Sequence, residues 1–139
     1  MRRVLIVEDS VSTRAFVRAV LEASEFAEAH GGCQVVEASS GFDAMRLLPR
    51  GPYDLIVTDI NMTDINGLEL VRFIRKSAHH ADTPLVVIST LRGEHDADRA
   101  LALGANVYLP KPFTPEQLRD TVTKLLAGIP SRTQADTGR

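Results

Sequence analysis

Short apolar runs and longer amphipathic stretches alternate along this chain. The runs are rich in β-branched residues and too short for helices, so they predict buried strands; the second run is the least apolar and predicts an edge strand. The amphipathic stretches between them repeat their apolar residues at helical spacing and predict helices. The five predicted strands are residues 4–7, 34–37, 55–57, 85–88 and 107–109.

Two local signals mark the ends of predicted helices. Thr114 and Gln117 form a capping box around Pro115, which suits the first position of a helix, so the last helix begins there. Gly104 follows the helix predicted over residues 94–103 and suits the conformation that ends many helices. Strands alternating with helices in this way predict a doubly wound α/β domain, with helices on both faces of a parallel sheet.

Composition and charge exclude several classes of protein. The chain has 139 residues, enough for one domain, and its net charge of −2 does not call for a nucleic-acid partner. Cys33 is the only cysteine, so an intrachain disulfide is excluded. No apolar run approaches the length of a membrane span or a signal-peptide core, so the expected location is cytoplasmic, without membrane contact.

The C-terminal residues and the histidines carry no recognised motif. Residues 1–127 are predicted to form the domain, and residues 128–139 are polar without periodicity, which predicts a tail or linker. The histidines lack the spacing of metal ligands and are predicted to lie on the surface. They are His30, His79, His80 and His95.

Polar side chains follow four of the five predicted strands. They are Glu8 and Asp9 after the first strand, Asp59 after the third, Ser89 and Thr90 after the fourth, and Lys111 after the fifth. The carboxyl ends of parallel strands meet at one rim, where ligands bind in open α/β sheets, so these groups are expected to converge. Close carboxylates repel one another, and Mg²⁺ removes that repulsion. Mg²⁺ and a lysine together stabilise phosphoryl groups, so the rim predicts a phosphate site.

These motifs, in this order and at these intervals, resemble the receiver domain of bacterial two-component response regulators, close in size to the stand-alone, CheY-like chemotaxis type. The resemblance covers the chain from residue 4 to about residue 127. It rests on Glu8-Asp9, Asp59-Ile60-Asn61-Met62, Gly67, Ser89-Thr90, Tyr108 and Lys111-Pro112-Phe113. It implies a flavodoxin-like (βα)5 fold whose five parallel strands have the order 2-1-3-4-5.

The resemblance also implies the chemistry of the site. Asp59 would accept a phosphoryl group from a phosphohistidine. Lys111 would pair with Asp59 at rest and with a phosphoryl oxygen afterwards. Mg²⁺ would be held by the carboxylates of Glu8, Asp9 and Asp59 and by the backbone carbonyl of Asn61.

Three further residues would carry the conformational switch. Ser89 matches the hydroxyl that moves toward the phosphoryl group, and Thr90 beside it is bulkier than the residue often found there. Tyr108 matches the aromatic residue whose rotamer reports the change. The surface formed by the fourth helix, the fifth strand and the last helix would then change and control a protein partner. The bond between Lys111 and Pro112 is expected to be cis.

The resemblance implies a signalling domain that promotes its own phosphorylation and dephosphorylation, rather than an enzyme with a free substrate. Its expected partners are a sensor histidine kinase or phosphotransfer protein and a downstream protein target, and its expected state is a monomer or a weak phosphorylation-dependent dimer. One alternative is a degenerate receiver that binds proteins without phosphate. A phosphohydrolase of the haloacid dehalogenase type is less favoured, because Asn61 stands where that family needs an acid.

Overall fold

Five strands and five α-helices alternate along the part of the chain that the computed structural model describes, residues 2–23, 32–62, 64–90 and 94–127, without the side chains of residues 94 and 95. The strands are β1 (Arg2–Val7), β2 (Cys33–Ala38), β3 (Leu55–Asp59), β4 (Leu85–Thr90) and β5 (Val107–Lys111). The helices are α1 (Val11–Glu22), α2 (Gly41–Leu47), α3 (Gly67–Lys76), α4 (Glu94–Leu103) and α5 (Pro115–Leu126); a 3₁₀ turn, Leu48–Arg50, follows α2.

All neighbouring strands are parallel, in the order β2-β1-β3-β4-β5. The predicted fold class is therefore confirmed, and the less apolar β2 lies at an edge as its sequence predicts. The apolar residues of the three central strands are fully buried, because helices cover both faces of the sheet. In the register of the sheet, Asp59 pairs with Ile88, and Thr90 pairs with Lys111, so the polar strand ends lie along one edge.

The core has two layers, one on each face of the sheet. Successive residues of a strand point to opposite faces, so Leu5 belongs to one layer and Ile6 to the other. Helices α2, α3 and α4 cover the first layer, and α1 and α5 cover the second. Each fully buried Leu or Ile side chain contributes about 1.5–3 kcal/mol relative to an exposed one. The connections at the rim therefore stand on a rigid scaffold.

The predicted helix ends are confirmed. Thr114 Oγ1 accepts the backbone N–H of Gln117 at 3.0 Å, and Gln117 Oε1 accepts the backbone N–H of Thr114 at 2.8 Å, which completes the capping box. Helix α4 ends at Leu103, and Gly104 has a φ of +120°, a conformation that favours glycine. The peptide bond between Lys111 and Pro112 is cis, as predicted.

His80 is buried, with 1% of its surface exposed, so the prediction that it lies on the surface is wrong. Its Nε2 lies 3.0 Å from the carbonyl oxygen of Leu48, and its Nδ1 lies 3.2 Å from Oγ1 of Thr83. The ring also stacks on Tyr53, with 5.7 Å between the centroids. Both nitrogens have partners, so the polar ring is buried without an unsatisfied group.

Several predictions fall at least partly outside the described residues. His30, the side chain of His95 and the predicted tail, residues 128–139, are among them, whereas His79 is described and exposed. Of the helices that the structure describes, none combines the length and the apolar character needed to cross a membrane.

Arg75, near the end of α3, holds together the edge of the sheet where β4 and β5 begin. Its guanidinium donates four hydrogen bonds of 2.7 to 3.1 Å. The acceptors are the carbonyl oxygens of His80, Thr83 and Gly104 and Oδ1 of Asn106. Because Asn106 Oδ1 also accepts the backbone N–H of Leu85 at 2.7 Å, this cluster joins the α3–β4 and α4–β5 connections to the sheet.

Candidate metal centre at the carboxyl edge of the sheet

Three acidic side chains meet where the central strands end. Glu8 and Asp9 follow β1, and Asp59 is the last residue of β3. One carboxylate oxygen from each of the three lies within 4.8 Å of the others. Glu8 is 0% exposed and Asp59 is 3% exposed, whereas Asp9 is half-buried. The structure therefore brings together the three acids that the sequence places at strand ends.

The ammonium group of Lys111 lies between two of these acids. Its Nζ donates to Oε1 of Glu8 at 2.8 Å and to Oδ2 of Asp59 at 3.2 Å. Lys111 ends β5, so β5 carries the cation to the edge that receives the acids of β1 and β3. Sequence reasoning paired Lys111 with Asp59 alone and missed its shorter contact, the one to Glu8.

Burial and charge perturb the pKa values of this cluster. Burial raises the pKa of the Glu8 carboxyl, and the hydrogen bonds from Lys111 and from the Ser10 backbone offset this only in part. Burial acts to lower the pKa of Lys111, but the hydrogen bond to Glu8 and the charge of Asp59 outweigh it, so this pKa is raised. One ammonium group facing two buried carboxylates leaves an excess of acidic groups, which favours a second cation.

The connection from β1 to α1 fixes the position of Glu8. Oε2 of Glu8 accepts the backbone N–H of Ser10 at 2.9 Å, and the Ser10 hydroxyl caps α1 by accepting the N–H of Thr13 at 3.3 Å. Arg14 donates to the carbonyl oxygen of Glu8 at 2.7 Å and to Oε1 of Glu37 on β2 at 2.8 Å. The edge strand therefore supports the acids through Arg14.

Ser89 and Asn61 contact each other beside Asp59. The side-chain amide of Asn61 donates to Ser89 Oγ at 2.8 Å, and this buried hydroxyl donates to the carbonyl of Thr90 at 3.1 Å. The backbone N–H of Asn61 donates to Oδ1 of Asp59 at 3.1 Å. The backbone of Asn61 therefore lies next to the acid cluster, and the Ser89 hydroxyl is held by neutral partners.

The sequence profile of the response regulator receiver domain matches residues 4–123. The chain belongs to the response regulator receiver domain family. The CheY homolog of Campylobacter jejuni is 33% identical over 125 residues, which cover 89% of this chain and 92% of that protein. Protein PilH of Pseudomonas aeruginosa is 33% identical over 128 residues, covering 92% of this chain and all of that protein. The solved structure of the chemotaxis response regulator CheY4 of Vibrio cholerae matches with a TM-score of 0.78 at 31% identity, covering 91% of this chain and 99% of that one.

Tyr108 lies on β5 of this receiver, next to the strand that carries Ser89. It is half-buried, packs against the core layer under α3 and α4, and pairs with Val87 in the register of the sheet. Its hydroxyl is buried and has no hydrogen-bond partner within the described part of the chain. The aromatic residue and the hydroxyl that the family resemblance assigns to the switch therefore lie on adjacent strands.

A cavity of about 400 Å³ opens on the receiver surface beside Lys111. The rings of Phe16 and Phe113 face each other across 5.8 Å, at an angle of 48°. Sequence reasoning missed this cavity because three separate parts of the chain line it. The lining residues are Ser12, Thr13, Phe16, Thr90, Lys111, Pro112 and Phe113.

The donor atoms of the receiver fit a hard divalent cation. Glu8, Asp9 and Asp59 offer only carboxylate oxygens, which Mg²⁺ binds while it keeps several of its waters. The half-buried position of Asp9 leaves one side of the cluster open to water. A carboxylate next to a cation site and an ammonium group can act as a nucleophile toward phosphorus.

Proposed function

We propose that this receiver is a phosphorylation-dependent signalling switch, in which Asp59 accepts a phosphoryl group from a phosphohistidine. The donor would be a sensor histidine kinase or a phosphotransfer protein of a two-component system. The observation that supports this proposal is the buried Asp59 carboxylate, 3.2 Å from the ammonium of Lys111 and within 4.8 Å of two further acids. The nucleophile and the groups that stabilise transferred charge thus lie in one pocket.

The proposed reaction makes an acyl phosphate. A carboxylate oxygen of Asp59 attacks phosphorus, the P–N bond of the donor breaks, and its electron pair returns to the imidazole ring. Glu8, Asp9, Asp59 and the Asn61 carbonyl would hold Mg²⁺, which would supply positive charge for the phosphoryl oxygens. Lys111 exchanges its bond with Asp59 for one with a phosphoryl oxygen. Attack by water on the acyl phosphate later releases inorganic phosphate and restores the carboxylate.

The proposed switch begins when Ser89 turns toward the phosphoryl group and gives up its hydrogen bond from Asn61. The new group on Asp59 adds negative charge and strong acceptors beside the end of β4, which changes the balance of local contacts. Thr90, at the end of β4, and Tyr108, on the neighbouring strand β5, are proposed to move with Ser89. The surface of α4, β5 and α5 then changes and controls a downstream protein.

Protein partners suit this receiver better than the alternatives. The net charge of −2 does not favour nucleic acid, and we propose a cytoplasmic monomer or weak phosphorylation-dependent dimer without membrane contact. A degenerate receiver is less favoured, because the acids and Lys111 are all present and in contact. A haloacid dehalogenase-type hydrolase is also less favoured, because Asn61 offers an amide to Ser89 where that reaction needs an acid.

Intact-mass measurement tests the acceptor assignment. The wild type, incubated with Mg²⁺ and phosphoramidate as a small donor, is expected to gain one phosphoryl group, and Asp59→Asn is expected to gain none. Asp120→Asn, which changes an exposed carboxylate on α5, is the matched control and should be labelled like the wild type. Labelling that persists in Asp59→Asn would reject the acceptor assignment, and an unlabelled wild type would favour the degenerate receiver.

A further inference from the structure

The carboxylate of Asp64, in the loop between Asp59 and α3, binds the first backbone N–H groups of α2. Its Oδ1 accepts the N–H of Gly41 at 3.1 Å, and its Oδ2 accepts the N–H of Phe42 at 2.9 Å. Oδ1 also accepts the N–H of Ile65 at 2.8 Å, which fixes the carboxylate within its own loop. The exposed side chain of Asp64 thus joins the loop that follows Asp59 to helix α2.

Asp64 completes the hydrogen bonding of the first turn of α2. Ser40 Oγ accepts the N–H of Asp43 at 3.0 Å, and the Ser40 carbonyl accepts the N–H of Ala44 at 3.0 Å. The two earlier N–H groups of the turn bind Asp64, so loss of this carboxylate removes the protein acceptor from both. A negative charge at the beginning of a helix is stabilising, and the bond from Phe42, followed by the bonds from Gly41 and Ile65, holds the pKa of Asp64 below its ordinary value.

Close packing also holds this loop, once against α2 and once against the end of β3. A Cβ atom on Gly41 would lie 1.6 Å from Cγ2 of Ile65, so α2 contacts the loop with only hydrogen between them. At the end of the loop, a Cβ atom on Gly67 would lie 2.3 Å from the Cα of Ile60 and 2.7 Å from the carbonyl oxygen of Asp59. The N–H of Gly67 donates to the Ile60 carbonyl at 3.0 Å. The loop is therefore fastened to α2 in its middle and to the acceptor strand at its end.

We propose that Asp64 is a positioning residue for the metal centre, because it ties the loop that carries Asn61 to α2. This inference rests on the proposed function, in which the backbone carbonyl of Asn61 binds Mg²⁺. The backbone N–H of Asn61 donates to Asp59 Oδ1 at 3.1 Å, so displacement of the loop moves the carbonyl ligand and disturbs a ligand carboxylate. Coupling between two sites is reciprocal, so bound Mg²⁺ should in turn strengthen the contact between Asp64 and α2.

Asp64→Ala and Ser40→Ala form a matched pair for the test. Both variants remove a cap from α2, but Ser40 caps it through Asp43, within the helix, and Asp64 caps it from the loop. Magnesium titration of the purified chain, followed by amide chemical shifts, should show about tenfold weaker binding for Asp64→Ala, as when a residue that supports a metal ligand is lost. Ser40→Ala should bind Mg²⁺ within about twofold of the wild type, despite a similar loss of a helix cap.

Two further measurements keep the test decisive. Asp64→Asn retains one acceptor oxygen and should give an intermediate Mg²⁺ affinity, which also covers the case in which Asp64→Ala does not fold. Without metal, Asp64→Ala should shift the amide signal of Asn61, and Ser40→Ala should leave that signal in place. Equal Mg²⁺ affinity in the wild type and the Asp64 variants would overturn the inference alone, as would an equal loss in Ser40→Ala. A wild type that does not bind Mg²⁺ would reject the proposed function and the inference with it.

Discussion

The carboxyl and amino ends of the strands, here called the carboxyl edge and the amino edge, differ in how the charges of their polar clusters are balanced. At the carboxyl edge, the single ammonium group of Lys111 faces the buried carboxylates of Glu8 and Asp59. At the amino edge, the guanidinium of Arg75 meets neutral oxygen acceptors, and both ring nitrogens of His80 have partners. Both clusters join connections that are distant in sequence, but within the described part of the chain only the first has acidic groups in excess.

The difference indicates which edge can respond to a signal. A movement at the amino edge breaks hydrogen bonds and gains none, so that edge keeps the ends of α3 and α4 in register with the sheet. The carboxyl edge is stabilised when a cation arrives, because the repulsion between its carboxylates is then offset. The same rigid sheet thus has one edge that holds position and another that reacts to charge.

The largest effect on stability is expected from Arg75→Ala at the amino edge. The variant leaves several partly buried acceptors without their donor, so the free energy of unfolding should fall by about 3 kcal/mol. Arg72→Ala, an exposed position on the same helix, is the control and should change it by less than about 0.5 kcal/mol. Urea unfolding at neutral pH measures both. Similar losses in the two variants would show that the amino edge is not the fixed one.

A smaller loss of stability, which Mg²⁺ should partly reverse, is expected from Lys111→Ala. Without Mg²⁺, the buried carboxylates lose their counter-ion, and the free energy of unfolding at neutral pH should fall by about 2 kcal/mol, less than for a fully buried pair because Lys111 is partly exposed. Millimolar Mg²⁺ should stabilise this variant more than the wild type. The conformational change of the α4, β5 and α5 surface on phosphorylation should be weaker in the variant.

Thermal unfolding with and without Mg²⁺ measures the Lys111→Ala effect, and Lys124→Ala, an exposed lysine on α5, is the control. If Mg²⁺ stabilised the wild type and the Lys111 variant equally, the ammonium and the metal would not share the same excess of negative charge.

The smallest effect is the pH dependence of Mg²⁺ binding. Because the pKa of Glu8 is raised above 4.5 in the fold, its proton favours the folded state, and its contribution to stability is lost as pH rises through the folded pKa. Mg²⁺ needs the ionised carboxylate, so its affinity should rise with pH in the same window, by at most about tenfold per pH unit. Calorimetric titration at a series of pH values above 4.5 should show this slope, and Glu8→Gln should flatten it. A slope that Glu8→Gln leaves unchanged would assign the proton to another group.

The sequence predicts those features that depend on local signals or on topology. Strand runs and helix caps are local, and parallel topology alone places Asp59 and Lys111 at one rim. The sequence does not predict the ion pair between Glu8 and Lys111. Whether these two long side chains meet depends on the twist of the sheet between β1 and β5. The burial of His80 also escapes prediction, because one of its partners is the backbone carbonyl of Leu48, which any residue type would offer.

The same reason explains why the clusters around Arg75 and Asp64 were not predicted. The guanidinium of Arg75 binds three backbone carbonyls, and Asp64 binds backbone N–H groups. Such contacts have no pattern of residue types, so they become visible only when the backbone is in place. Sequence alone therefore predicts the reactive side chains of the carboxyl edge better than it predicts the residues that hold the backbone in place.

The ion pair between Glu8 and Lys111 spans 103 residues, and Lys111 follows Asp59 by 52 residues. A ribosome that adds about 5–20 residues per second synthesises Asp59 roughly 3–10 s before it reaches this lysine, and the acids that follow β1 earlier still. A nascent chain has the acidic side chains but not yet the ammonium group that should help to stabilise a transferred phosphoryl group. Under the proposed function, the position of Lys111 at the end of β5 would confine phosphate chemistry to molecules whose β5 has already been synthesised.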